Sequence, residues 1–349
     1  MKLMERRRQM TGRKRKNRLL LLFLCAGAVL FLFIWYSFGL YQAKKKAMSE
    51  HFEMTDTGTA SDWTSDRLVF QGKTYRRNTY IKAVLLIGVD RAGELTQTVP
   101  GSGGQADAIF LAVQDTIHHR IRLLMIPRDT MTEIVLTDLQ GNELGYEKQH
   151  LTLAYAYGDG REKSGEYMCR AVSDLLGIGI DSYMATGMSA LPVLNDGVGG
   201  VTVAIQDEEL AARDPAFHLG ERITLKGKQA ETYLRYRNIE TSQSALTRLE
   251  RQREYIEQFS QAALDRARQE EGLAAKLLEQ IEPYMATNLS KDQYLDMALD
   301  FFKEGSALKE EDLLLLPGKG VETDRYDEYL PDKEQIQPMI LDLFYRVEE

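Results

Sequence analysis

The chain has 349 residues and a mass of 39.7 kDa, enough for one large domain or two ordinary ones. With 44% apolar and 28% charged residues, only 8 prolines and 2 cysteines, it is not a disordered or collagen-like chain, a disulfide scaffold or a cysteine-based zinc finger. A net charge of −8 argues against nucleic acid as a partner.

Residues 1–18 form a basic tail with nine cationic side chains and one acid, Glu5. Residues 19–41, LLLLFLCAGAVLFLFIWYSFGLY, carry no charge. As a helix this run is about 34 Å long, enough to cross a bilayer core. Trp35, Tyr36 and Tyr41 gather at its far end, followed by Lys44, Lys45 and Lys46. Nine positive charges before the span outweigh three after it, so the N-terminus is expected in the cytoplasm and the body outside. The run is longer than the apolar part of a cleaved signal peptide and no small-x-small site follows it, which predicts a single-pass anchor in the cell membrane. From residue 47 on, 32 basic residues face 51 acidic ones, about −19 with histidines neutral. Cys169 is the one cysteine beyond the span, so no disulfide within the exported part is expected.

Residues 42–79 are polar and mixed and read as an extracytoplasmic stalk with a short strand at Leu68–Gln71. From Ile81 the run AVLLIGVD suits a buried central strand. ADAIFLAVQD reads as a second strand, THHR as a turn, and IRLLMIPRDT as a third strand broken at Pro127, so the second and third form a hairpin. The Gly- and Thr-rich stretch from Arg91 to Gln105 is a loop. Apolar residues at Tyr167, Met168, Ala171, Val172, Leu175 and Leu176 have helical spacing over Gly165–Leu176, and Gly177 stops the helix. A strand at Ser182–Gly187, a short helix at Ser189–Asn195, a strand in GVGGVTVAI, a helix beginning KGKQAETYLRYRN and a long helix over Ala245–Arg268 follow. The alternation predicts an α/β class, a three-layer α/β/α domain over residues 80–268 with a central mixed sheet. Residues 269–349 read as a helical, acidic extension.

Polar residues interrupt the core pattern at a few places. Asp90 closes the first strand, at the end where α/β sheets commonly place ligands, though a strand-end aspartate also caps turns. Asp107 opens the next strand. If the strands are neighbours, two carboxylates share one sheet edge and need a cation or a proton to coexist; Mg²⁺ with phosphate completing its shell fits. Arg128 leaves the third strand beside Asp129, and the two can pair locally. Arg235, Arg237, Arg248 and Arg251 form a basic constellation, with Arg248 and Arg251 on one helix face and Arg253 pointing away. Such forks match phosphate oxygens; the other reading is ordinary surface ion pairs with Glu231, Glu240 and Glu250. The five histidines lack metal-ligand spacing, and there is no Walker loop, G-x-S-x-G or G-x-G-x-x-G.

Taken together, LLIGVDR, DAIFLAVQD, IPRDT, LTLAYAYGDG, AVSDLLGIGIDSYMATG, LNDGVGGVTVAI, LKGKQAETYLRYRN and TRLERQREYI resemble the LytR–CpsA–Psr family of bacterial cell-envelope proteins, in the family's order over roughly residues 80–265. The resemblance implies a phosphotransferase that holds a polyprenyl-pyrophosphate lipid in an apolar pocket and moves its glycopolymer, a wall teichoic acid or capsular polysaccharide, to a sugar hydroxyl of peptidoglycan. It implies Mg²⁺ or Mn²⁺ as cofactor. The family's metal-binding aspartates map onto Asp90 and Asp107, and its pyrophosphate-gripping arginines onto Arg128, Arg235, Arg237 and Arg248; Arg251 matches a further recurrent arginine. Two positions depart from the family. Gln105 stands where an arginine is usual, and ETSQSAL lacks the acidic residues expected before Arg248. A lipid-binding protein without catalysis, or a pyrophosphatase that releases the polymer to water, would use the same pocket.

Overall fold

The structure, a computed structural model, describes residues 66–238 and 240–348. The basic tail, the span over 19–41 and most of the stalk lie outside the described residues. Among the described residues no helix is long and apolar enough to cross a membrane.

A six-stranded sheet forms the centre, in the order Met285–Thr287, Tyr183–Gly187, Ile81–Val89, Ala106–Asp115, Arg120–Met125, Leu313–Leu315. Ile81–Val89 runs antiparallel to Ala106–Asp115 and parallel to Tyr183–Gly187, so the sheet is mixed. Ala106–Asp115 and Arg120–Met125 form the expected antiparallel hairpin. Side chains alternate between faces along each strand. Leu85, Ile87 and Val89, with Ile109, Leu111 and Val113, enter one core with residues of the helices Glu162–Leu176 and Lys333–Phe344. Phe110, Ala112, Leu123 and Met125 point the other way, against Leu249 of the helix Ser244–Ala267. Gly177 ends Glu162–Leu176 at φ 71°, a left-handed cap that favours glycine.

A second core lies beside the long helix. Val198, Val201, Val203 and Ile205 pack with Tyr233 and Tyr255. Tyr255 belongs to the long helix, and Tyr233 to the helix Lys228–Arg235. This packing brings the segment after Arg235 to the helix that carries Arg248.

Three features differ from the sequence reading. Arg67–Phe70 and Lys73–Arg77, at the end of the stalk segment, form a hairpin that continues through Tyr345–Val347 into a three-stranded sheet. The C-terminal extension is not only helical: it supplies both edge strands of the central sheet. Those strands have three residues each, too few for a periodicity to be read. Met131–Thr137 and Glu143–His150 form a further hairpin, hidden in sequence because the second strand, ELGYEKQH, is mostly exposed and polar.

Candidate active site

Asp90 follows the last residue of Ile81–Val89, and Asp107 is the second residue of the antiparallel neighbour. Antiparallel pairing puts both at the same end of the sheet, as the sequence predicted. The register contains an irregularity there: Gly88 pairs with Ala108 and Val89 with Ala106, leaving Asp107 as the extra residue of a β-bulge. Bulges re-aim a side chain out of the normal alternation.

Arg128 reaches the same place from the neighbouring strand. Ile126 N–H still donates to the Ile109 carbonyl at 2.9 Å, but Pro127 has no N–H and the ladder stops. Thr130 closes the turn, its hydroxyl and its N–H both donating to the Pro127 carbonyl, at 2.6 and 3.0 Å. The segment LTLAYAYGDG braces this turn. Leu151 N–H donates to the Thr130 carbonyl and Thr152 N–H to the Arg128 carbonyl, while the Thr152 hydroxyl donates to the Ala106 carbonyl at 2.8 Å.

Arg128 then spends its fork on three acceptors. Nη1 donates to Asp107 Oδ1, Nη2 to Gln105 Oε1 at 2.8 Å, and Nε to Asp129 Oδ1 at 3.2 Å. Arg248, one turn into the long helix, comes from the other side. Its Nη1 donates to Asp107 Oδ2 at 3.0 Å and its Nη2 to the Asp107 carbonyl at 3.2 Å. One carboxylate therefore holds two guanidinium groups. Arg248 is 4% exposed. Burial lowers its proton affinity, opposed by the charge of Asp107 and reinforced by the charges of Arg128 and Arg237; it remains a cation.

The basic constellation does not converge as a whole. Arg237 has no hydrogen bond or ion pair to any described residue, yet its charge acts on Arg248, so it borders the cluster. Arg235 ends its helix paired with Glu231 at 2.9 Å. Arg251 turns elsewhere, with Nη1 on Asp207 Oδ2 at 3.3 Å and Nη2 on the Tyr236 carbonyl. Arg253 pairs with Glu310 and Glu250. The surface-pair reading therefore holds for Arg235 and Arg253; of the constellation, Arg248 joins Arg128 on Asp107, while Arg128 also makes its local pair with Asp129.

Gln105 is not an idle replacement. Its side chain orients Arg128, its N–H donates to Asp90 Oδ1 at 2.5 Å, and its carbonyl accepts from Asp90 N–H at 3.0 Å. The Arg91 fork, by contrast, is used inside its own loop, on the Thr96 carbonyl and hydroxyl, both at 2.9 Å.

Among the described residues no group of three or more His, Cys, Asp or Glu could hold a metal by itself. Of the two aspartates expected to hold a divalent ion, Asp107 already has both carboxylate oxygens on arginines, whereas Asp90 has no cationic partner among the described residues. Carboxylate oxygens with substrate phosphates completing the shell are what Mg²⁺ prefers.

No motif or periodicity in the sequence marks Asp327. It lies in the hairpin Gly318–Glu322/Asp327–Pro331, where Oδ2 accepts from Gln243 N–H at 2.7 Å and Oδ1 from the Ser242 hydroxyl at 3.1 Å. It thus caps, from a distant segment, the start of the helix bearing Arg248. In the same hairpin, Tyr329 N–H donates to the Asp129 carbonyl at 2.9 Å. One hairpin braces both arginine-bearing elements.

Away from the charges, the sheet face under the long helix is not fully closed. Leu86 and Met184, paired in register on central strands, are only half-buried, and so is Ala108. Central strands are normally covered on both faces.

A model of the LytR_cpsA_psr family matches residues 39–343. The chain is 28% identical over 240 residues, 68% of its length and 69% of the relative's, to a protein of Bacillus mycoides named polyisoprenyl-teichoic acid–peptidoglycan teichoic acid transferase TagU. It is 26% identical over 288 residues, 82% of each chain, to the protein of the same name in Bacillus cereus. The crystal structure of protein gbs0355 from Streptococcus agalactiae superposes with a TM-score of 0.59 over 76% of this chain and 87% of that one; at 24% identity this shows a shared fold.

Proposed function

The chain belongs to the LytR–CpsA–Psr family, and we propose that it is a membrane-anchored phosphotransferase that moves a glycopolymer from a polyprenyl-pyrophosphate lipid to a hydroxyl of peptidoglycan. The observation that carries this reading is the Asp107 carboxylate holding Arg128 and Arg248 at the sheet edge, next to an Asp90 that has no cationic partner among the described residues. Phosphoryl transfer needs positioned oxygens and charge neutralisation more than covalent chemistry from the protein. The names of the TagU relatives support teichoic acid as the polymer class and peptidoglycan as acceptor.

In the proposed reaction the acceptor sugar oxygen attacks the phosphorus that carries the glycopolymer. The bond from that phosphorus to the bridging pyrophosphate oxygen breaks, polyprenyl monophosphate leaves, and the hydroxyl proton passes to solvent. A phosphodiester joins sugar and polymer. Arg128 and Arg248 would face the charge that grows on the leaving phosphate, and Arg237, without a hydrogen bond to any described residue, would add a third cation. Arg235 and Arg251 stand further out. Asp90 and Asp107 would hold Mg²⁺ or Mn²⁺, which supplies charge neutralisation at the pyrophosphate oxygens. Gln105 and Asp129 orient Arg128. The half-open row at Leu86 and Met184 supports an apolar seat for the prenyl chain, and the span over residues 19–41 would keep the site at the lipid surface.

The test is product analysis with the purified full chain, a lipid-linked polymer and peptidoglycan. Phosphodiester-linked polymer is the expected product, lowered roughly 10²–10³-fold in Arg128→Ala or Arg248→Ala. Free polymer would make it a pyrophosphatase; lipid binding with no product would make it a binding protein.

A further inference from the structure

The described residues begin with a sheet of three short strands, Arg67–Phe70, Lys73–Arg77 and Tyr345–Val347. Leu68 and Tyr345 turn into the main core, and Phe70 and Tyr75 pack against it. Alternation along each strand sends their neighbours to the opposite face. The register puts Arg67 opposite Arg76, and Arg76 opposite Arg346, so three exposed arginines stand in one row across the sheet. Like charges directly opposite one another destabilise a sheet. Val69, opposite Thr74 on the same face, is 68% exposed.

Among the described residues, one carboxylate answers this row. Arg67 Nε donates to Glu348 Oε2 at 2.8 Å. That hydrogen bond, with the charges of Arg67, Arg76 and Arg346, holds the Glu348 carboxyl below its ordinary range. Arg76 and Arg346 make no side-chain hydrogen bond or ion pair with any described residue. The row is also remote from the cluster around Asp107. Arg77 lies just before the strand Ile81–Val89 and Asp90 just after it, and a strand of 9 residues spans about 30 Å. None of the three arginines belongs to the set expected to hold pyrophosphate.

From residue 47 on the chain is strongly acidic, 32 basic residues against 51 acidic ones, and an anionic surface repels such a body. A row of cations where the chain enters that body is the local exception. Residues 42–65 join the expected span to this sheet, and even fully extended they reach only about 80 Å. We propose that this arginine face rests on the anionic headgroups of the bilayer that holds the span. The inference rests on the anchored reading given above. Arginines within a Debye length of an anionic lipid surface are attracted to it, and Val69 adds an apolar contact at headgroup level. The contact settles the tethered body on one face instead of leaving it to swing on its stalk.

Fluorescence quenching on the full chain reconstituted in vesicles reads the contact. A bimane label is placed at Val69→Cys, and a control label at Leu139→Cys, which is 82% exposed beyond the strand Met131–Thr137. Both carry Cys25→Ser, and Cys169 is buried. The vesicles are phosphatidylcholine with a nitroxide-headgroup quencher lipid, with or without phosphatidylglycerol. Quenching at Val69→Cys is expected to be about twofold greater or more with phosphatidylglycerol, and high salt should remove the excess. Arg76→Glu/Arg346→Glu should remove it too, and Leu139→Cys should show none; Arg76→Ala/Arg346→Ala serves if the charge reversal disturbs folding. Equal quenching in both vesicles, an excess that survives loss of both arginines, or the same excess at Leu139→Cys would each overturn the proposal. Binding of soluble poly(glycerol phosphate) to this face without excess quenching would also overturn it, by assigning the face to the polymer. Flotation of the wild type with phosphatidylcholine vesicles tests the anchor, and product formation in detergent, expected to be equal in Arg76→Glu/Arg346→Glu and wild type, tests the transferase. Failure of the wild type in either would count against the proposed function and not against the arginine face.

Discussion

Asp107 and Arg248 are 141 residues apart in sequence, yet Arg248 meets both the carboxylate and the carbonyl of Asp107, at 3.0 and 3.2 Å. The same carboxylate binds Arg128 through its other oxygen. Before any substrate arrives, the two arginines are bridged by one acid that a β-bulge turns toward them, and Arg128 also pairs with Asp129. The arrangement keeps cations close together without a bound anion, and it ties the site to stability.

Asp107→Ala should therefore damage the fold as well as activity. It leaves Arg248, 4% exposed, without its counter-charge, at a cost of about 3–5 kcal/mol. The double variant Asp107→Ala/Arg248→Met should recover much of that loss, since the unpaired buried charge is gone, while transfer stays abolished. Urea denaturation of the single and double variants measures this; a single variant as stable as wild type would contradict the buried pair.

Gly104→Ala should disturb Asp90. Gly104 has φ +90°, and a Cβ there would lie 2.8 Å from Asp90 Oδ1 and 2.9 Å from Val89 Cγ1. Strain and displacement together should cost roughly 1–3 kcal/mol. If Asp90 holds the metal, the Mg²⁺ concentration for half-maximal transfer should also rise. Thermal melting and a Mg²⁺ titration of activity read the two effects separately.

Asp327→Ala should remove the helix cap supplied by the C-terminal hairpin, costing about 1 kcal/mol. Because the capped helix presents Arg248, kcat/KM should fall several-fold. Asp327→Asn keeps an acceptor for Gln243 N–H and should restore most of both, as asparagine caps nearly as well as aspartate. Loss of activity in Asp327→Asn equal to that in Asp327→Ala would point to a role for the charge itself.

Cys169 should resist alkylation in the native protein. It is buried in the core, and burial pushes its thiol up to about 12. At pH 7 to 9 it stays protonated, and the thiolate is the reactive form. Maleimide labelling mapped by mass spectrometry should reach Cys169 only as urea unfolds the domain, which makes it an internal probe for the Asp107 and Asp327 variants.

Local chemistry determined much of this protein. The apolar runs AVLLIGVD and ADAIFLAVQD specify the central strands because a strand buried on both faces has no polar alternative. Pro127 alone stops the ladder before Arg128, and Gly177 alone stops its helix. Strand ends place Asp90 and Asp107 at one edge once the two strands pair. Tertiary packing decided the rest. Arg248 and Arg251 share a helix face, but only the position of that face against the sheet sends Arg248 to Asp107 and Arg251 to Asp207. Asp327 and the three-residue edge strands carry no periodicity or motif, because their roles come from contacts between segments far apart in the chain. A sequence displays which side chains can form a charged cluster; the folded sheet and helices fix which of them meet, since a guanidinium finds its carboxylate by distance in space and not by spacing along the chain.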